Sequence, residues 1–348
     1  MKKSAILAFC GVGVLAAVGI YAIVQHNNAN TRYTSSTFAM STVIEQKLYG
    51  ANAQKAMEET EKSFISFENE LSLFKENSDI SRINAASGNG EPISVKAQTF
   101  AILKQGKELS QASDNAFALT IAPLTLAWGI TGDAPRVVPQ SEIDTLLPLV
   151  NDNDIILCEN NEVMLKNAGA AIDLGGIAKG TACNIAKDIY NKYDIKSAVL
   201  SIGGNIYVKG TKPDGSLSRI GFRNPKADAS AYIASITMQD EVFAVSGGYE
   251  RFFEENGKRY HHILSPVTGA PAESDIISVG VLNKDGTVAD FYSTTLFVWG
   301  KDKTIEYMKN GGKVMMLCED NTLYVSKSLE NSFELNKDTG DTYKVIFI

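Results

Sequence analysis

Histidine is scarce in this chain, with three residues in 348, and cysteine is hardly commoner, with four. Cys10 lies in the N-terminal apolar run, which leaves Cys158, Cys183 and Cys318, an odd and widely spaced set. That spacing excludes a disulfide scaffold and a metal knuckle, and reads as buried or free thiols. Runs of Lys or Arg are missing from the body, and the formal net charge is -7. A grip on a nucleic-acid backbone is thereby excluded. Internal repeats and low-complexity stretches are absent too. What remains is an ordinary globular composition, 44% hydrophobic and 21% charged, with length for one large domain or two smaller ones.

The one long apolar run is N-terminal. Lys2 and Lys3 precede Ser4 to Val24, an uncharged stretch long enough to cross a hydrocarbon core as a helix. The two lysines keep that end in the cytoplasm and place the body outside, at the periplasm or cell surface. A cleaved signal peptide has the same charged start and apolar centre, but no small-x-small site follows the run, which favours an uncleaved membrane anchor over residues 1–24. Leu7-Ala8-Phe9-Cys10 loosely matches a lipoprotein cleavage box, with Phe9 too bulky for its position. Residues 25–37, rich in Asn, Ser and Thr, read as a linker, and 38–348 as the folded domain.

Within the domain, apolar residues at helical spacing predict a long amphipathic helix over 51–74 and a second over 97–113. From Ala170 the texture changes to short apolar runs punctuated by Gly. A strand is expected over 170–174, a turn at Gly175-Gly176, a helix over 178–193, and strands near 197–202, 206–210, 232–238, 241–246, 259–264 and 276–282. A last helix is expected from about Ala289 to Gly300. Helices and strands mix without regular alternation, and hairpin-length turns join several strands. The fold class is therefore α+β, an N-terminal transmembrane helix followed by a body of mixed, largely antiparallel sheets with packed helices.

Three segments can carry chemistry. Asp173 to Gly180 runs strand, glycine turn, helix start: glycine lets the backbone approach a ligand, the helix N-terminus favours phosphate, and Lys179 adds charge. The plainer reading is a sharp turn with Asp173 as a cap and Lys179 in solvent. Arg259 to Pro271 holds His261 and His262, the only histidines of the body, and strand alternation sends them to opposite faces, so only one can face a given pocket. The plainer reading is one hydrogen-bonded and one exposed histidine. Ala289 to Thr294 places Asp290 and Thr294 four apart, so that a helix stacks a carboxylate over a hydroxyl, hard oxygens that suit magnesium. The alternative is that Asp290 caps its own helix.

In this order, these segments resemble the family of FAD:protein FMN transferases, the ApbE family. Phe38 to Thr42 resembles the family's Met-Gly-Thr opening, and Leu71 to Asn84 its Leu-Ser-x-aromatic stretch with Ser-x-Ile-Ser-x-Ile-Asn. Ala116 to Gly129 and Val245 to Arg251 resemble two further family segments, so the likeness runs from about Phe38 to Gly300. It implies that the chain cuts FAD at its pyrophosphate, attaches FMN to a Thr or Ser hydroxyl of an extracytoplasmic partner protein, and releases AMP. It implies magnesium held by Asp290, Thr294 and the carbonyl at Gly176, with Ser293. It also implies an FAD site lined by Met40, Phe74, Ala116, Phe117, Ala118, Asp173, Lys179 and Ile263, with His262 or the metal-bound Asp290 taking the proton from the attacking hydroxyl.

Ser41, Ala118, Asn184, Val245 and Ser265 stand where the family has Gly, Asp, Asp, Thr and Asp. These departures keep open an FAD pyrophosphatase yielding FMN and AMP, and a non-catalytic FAD-binding surface protein. The chain lacks the family's Ser-Gly-Ala-Thr-like acceptor pattern, so the acceptor is expected to be a separate flavoprotein subunit that carries it.

Overall fold

The computed structural model describes residues 30–132, 134–228 and 230–348. Its frame is a nine-stranded sheet: Arg32–Ala39, Thr42–Tyr49, Ser197–Ile202, Asn205–Lys209, Glu241–Gly247, Ile276–Asn283, Lys313–Cys318, Thr322–Val325 and Lys344–Phe347. Spatial order follows chain order, and every adjacent pair is antiparallel except the last, which is parallel.

Alternation along the central strands sends side chains to two cores. On Glu241–Gly247, Val242 and Ala244 face the helical layer, while Phe243 faces the other side. The helical side carries Ala53–Leu71 and Ala178–Lys192, whose Phe64, Ala182, Ala186 and Tyr190 are fully buried with Leu48 and Leu200 of the sheet. Gly286–Trp299 and Lys301–Lys309 extend that layer over Val279, Val281 and Val314. The opposite face is covered by a three-stranded sheet of Ser218–Arg223, Tyr232–Met238 and Phe333–Leu335, and Phe222 packs on Phe243 at 6.2 Å between ring centroids. Each fully buried side chain of this size contributes about 1.5–3 kcal/mol.

Two expectations are corrected here. Among the described residues no helix is long and apolar enough to cross a membrane, and the run at 4–24 lies outside the described residues. The architecture of the described residues is therefore a mixed α/β body with large antiparallel sheets, and no transmembrane helix is among them. The linker reading of 25–37 also fails at its C-terminal end, because Arg32–Ala39 pairs along its length with Thr42–Tyr49. That strand is an edge strand, exposed at every second position and only half-buried at Tyr33, Ser35 and Thr37 between them, so both its faces tolerate polar residues and the apolar alternation that marks a strand is missing.

The expected strand over 170–174 joins no ladder. Its backbone polar groups are met otherwise: Asn84 brackets Ile172, donating from Nδ2 to its carbonyl at 3.0 Å and accepting its N–H at 2.7 Å, and Asp173 N–H donates to Leu119 O at 2.8 Å.

Candidate active site

The first turn of Ala178–Lys192 meets the first turns of Gly286–Trp299. At Gly180 a Cβ would lie 2.0 Å from Gly286 O, and at Gly286 a Cβ would lie 2.2 Å from Gly180 O. Only two glycines permit this crossing. It brings Asp290, 2% exposed, under the neighbouring helix, where its Oδ2 accepts from Gly180 N–H at 2.8 Å. Asp290 does not cap its own helix; Asp285 does, accepting from the N–H groups of Thr287 and Val288. Asp290 satisfies an orphan amide of the other helix and has its second oxygen, Oδ1, 3.6 Å from Lys179 Nζ. Lys179 also donates to Gly175 O at 3.4 Å, so its ammonium sits between a carbonyl and a carboxylate.

Above this point opens a cavity of about 300 Å³. Of the residues singled out in the sequence, Met40, Ala116, Phe117, Ala118, Asp173, Gly176, Lys179, His262, Ile263 and Thr294 line it. Asp290 and Ser293 lie beneath its floor, Asp290 covered by Lys179. Phe74 is not brought to the wall: it follows the end of Ala53–Leu71 and is 62% exposed.

The walls are held from behind. Asp152 accepts from Leu119 N–H, Thr120 N–H and Thr120 Oγ1 at 2.6–2.8 Å, fixing the chain that follows Ala118. Phe117 packs its ring on Phe291 at 5.0 Å and lies so close over Gly176 that a Cβ there would come within 2.6 Å. Met40 and Ser41 form the two-residue turn of the first hairpin, both at positive φ, and Arg251 Nη2 donates to Ser41 O at 2.8 Å. Burial pushes the Asp173 carboxyl above its ordinary pKa, offset in part by the Gly175 N–H and Lys179.

The two histidines part company. His261 turns to Phe297 and to the carbonyl of Ala272. His262 lines the cavity, and its Nδ1 lies 3.2 Å from the carbonyl of Arg251. A carbonyl only accepts, so Nδ1 carries the proton and Nε2 keeps its lone pair. Burial, then the positive charges of Lys179 and Arg251, lower the His262 pKa to about 3, so the ring is neutral at neutral pH.

Ser246 and Arg251 were given no role in the sequence, yet both line the cavity. Ser246 Oγ lies 2.8 Å from Ser293 Oγ and 3.4 Å from Thr294 Oγ1. The signal was thin: Ser246 shares a strand face with Val242 and Ala244, and only the helix 47 residues on reveals what that face meets.

Of the departures from the family pattern, Ala118 and Val245 line the cavity, and the others do not. Asn184 donates to Asp285 Oδ1 at 2.8 Å and accepts from Gly286 N–H at 2.8 Å. Ser265 Oγ accepts from the N–H groups of Val267 and Thr268, closing the Pro-x-Thr-Gly turn.

Among the described residues no three His, Cys, Asp or Glu side chains gather to hold a metal. The hydroxyls of Ser246, Ser293 and Thr294 gather at one edge of the cavity, Gly176 lines it, and the Asp290 carboxylate lies under Lys179 one helical turn before Thr294; hard oxygens of this kind suit a divalent cation completed by ligand phosphates. The Lys179 ammonium against Asp290 marks the place where the site already holds positive charge.

The ApbE family model matches residues 40–317. The FAD:protein FMN transferase of Klebsiella pneumoniae is 33% identical over 79% of this chain and 84% of its own length. That of Vibrio cholerae is 30% identical over 73% and 76%. Among solved structures, the ApbE protein of Thermotoga maritima superposes with a TM-score of 0.80 at 30% identity, covering 87% of this chain and 99% of its own. The flavin transferase ApbE from Vibrio cholerae gives 0.78 at 27%, over the same shares.

Proposed function

The chain belongs to the ApbE family, and from that premise we propose that it is an FAD:protein FMN transferase that attaches FMN to a Thr or Ser hydroxyl of a partner protein. The observation that carries this reading is the convergence on one cavity of the Lys179 cation, the free Nε2 of His262 and the Asp290–Thr294 helix face.

In the reaction the acceptor hydroxyl oxygen bonds to the FMN phosphorus, the phosphorus–oxygen bond to AMP breaks, and AMP leaves. Nε2 of neutral His262 takes the hydroxyl proton. Negative charge on a bound pyrophosphate offsets the lysine and arginine charges that depress the ring's basicity, so the base strengthens once substrate is in place. Arg251 and Lys179 bring positive charge to the cavity, while Phe117 and Ile263 exclude water from it. Asp290, Thr294 and the carbonyl at Gly176, with Ser293, would hold magnesium, which would neutralise the pyrophosphate charge. The acceptor is a separate flavoprotein carrying a Ser-Gly-Ala-Thr-like motif.

The test is incubation with FAD, magnesium and an acceptor bearing that motif, read as covalent flavin fluorescence on a denaturing gel together with AMP release. Labelled acceptor is expected. Asp290→Ala should abolish label, and His262→Gln should slow transfer by roughly 10²–10⁴-fold. AMP without label would instead mark a pyrophosphatase, and undiminished transfer by Asp290→Ala would remove the metal assignment.

A further inference from the structure

Among the described residues only four enclosed side-chain atoms lack a hydrogen-bond partner, and two of them are the Nδ2 and Oδ1 of one residue, Asn205. Asn205 is 0% exposed. A buried amide left wholly unpaired costs several kcal/mol, roughly 1–3 per group, and such groups are matched in folded proteins by protein or by water.

The sheet register says where this amide points. Tyr207, two residues along the same strand, lies parallel to the ring of Tyr190 on Ala178–Lys192, so Asn205 faces the same helical layer. Across the ladder Asn205 pairs with Ala244. Two residues beyond Ala244 on that shared face is Ser246, bonded to Ser293 and Thr294 of Gly286–Trp299. Asn205 therefore stands on the helical face of the sheet, diagonal across the ladder from Ser246 and on the sheet side of the hydroxyl cluster.

Hydrogen-bond accounting identifies the species it holds. Ser293 Oγ donates its proton to the carbonyl of Asp290 at 2.8 Å, so Ser246 donates to Ser293 and keeps lone pairs free to accept. A cation would satisfy Oδ1 alone and an anion Nδ2 alone. Water, donor and acceptor together, satisfies both atoms of the amide and can pass a further hydrogen bond to Ser246.

We propose that Asn205 binds an enclosed water which braces Ser246 from behind, making Asn205 a positioning residue for the Ser246–Ser293–Thr294 hydroxyls. The inference about cation dependence rests on the proposed transferase reading; the water does not.

A high-resolution crystal structure of the protein tests the water directly. An ordered water within hydrogen-bond distance of the Asn205 amide is expected; an amide bonded straight to protein atoms, or bare, overturns it. The positioning role is tested with Asn205→Leu, which removes both polar atoms at similar volume, and with Asn205→Ser, which keeps a hydroxyl for the water. Asn205→Leu should raise the magnesium concentration for half-maximal transfer about tenfold, and Asn205→Ser should restore most of it. A magnesium dependence unchanged in both variants, whatever their melting temperatures, overturns the role. Absence of transfer by the unaltered protein would defeat the transferase reading and leave the crystallographic result standing.

Discussion

Burying a neutral imidazole makes folding sensitive to acid in a direction that follows from one number. The His262 pKa of about 3 lies below the ordinary imidazole value of about 6.5. Between those values the unfolded chain takes up a proton that the folded chain refuses, so stability is complete above about pH 6.5 and is lost as pH falls toward 3. Thermal unfolding followed from pH 7.5 to 4.5 should show the melting temperature falling with acid, and His262→Gln should fall less steeply. An equal fall in both would assign the acid sensitivity to other groups. The parting of the two histidines was expected from alternation along a strand over 259–264; the strand stops at His261 and His262 follows in a bend, and the structure turns one to Phe297 and the other to the cavity. The pairing of Ser246 with Ser293 spans 47 positions and leaves no local trace. Phe74 looked like a site residue by motif alone, and its exposure is set by the turn after its helix.

The departures from the family pattern sort themselves once the elements are in place. Asn184 belongs to the clasp between two helices and not to the cavity wall: its amide donates to Asp285, and its carbonyl accepts the first amide of Gly286–Trp299. An aspartate there would set a second carboxylate against Asp285 and remove the donor. Asn184→Asp is therefore expected to destabilise the protein by about 1–3 kcal/mol, seen as a lower denaturation midpoint with an unchanged slope. A variant of equal or greater stability would show that Asp285 turns elsewhere or shares a proton. Elements with strong periodicity were readable from sequence, such as the helix expected over 51–74 and found at Ala53–Leu71. The stretch at 170–174 was not, because Asn84 supplies side-chain partners in place of a neighbouring strand. The edge strand Arg32–Ala39 was hidden for the opposite reason, since its inward positions Tyr33, Ser35 and Thr37 are only half-buried and need not be apolar.

At the scale of the whole molecule the site joins parts far apart in the chain: the first hairpin at Met40, the Ala116–Ala118 wall, the Gly175–Lys179 turn, and the His262 and Thr294 segments. Sequence gave the order of these motifs but not their convergence, which depends on a sheet whose pairings run from Arg32 to Phe347. A ligand that touches all of them binds only the folded state, so it must raise stability by mass action, by about 2.7 kcal/mol at a hundredfold excess over its dissociation constant. For a domain of this size that is a rise in melting temperature of roughly 4 °C. The electrostatics make the rise conditional. With Lys179 alone against Asp290, FAD brings two phosphate charges to a cavity floored by a carboxylate. On the proposed assignment, magnesium would make that carboxylate part of the grip. Unfolding measured by calorimetry with FAD and no acceptor should therefore show the full rise with magnesium present, a smaller one with a chelator, and no difference between the two in Asp290→Ala. An equal rise with chelator in the unaltered protein would mean that Lys179 and Arg251 hold the pyrophosphate unaided, and that Asp290 serves only to join the two helices at Gly180.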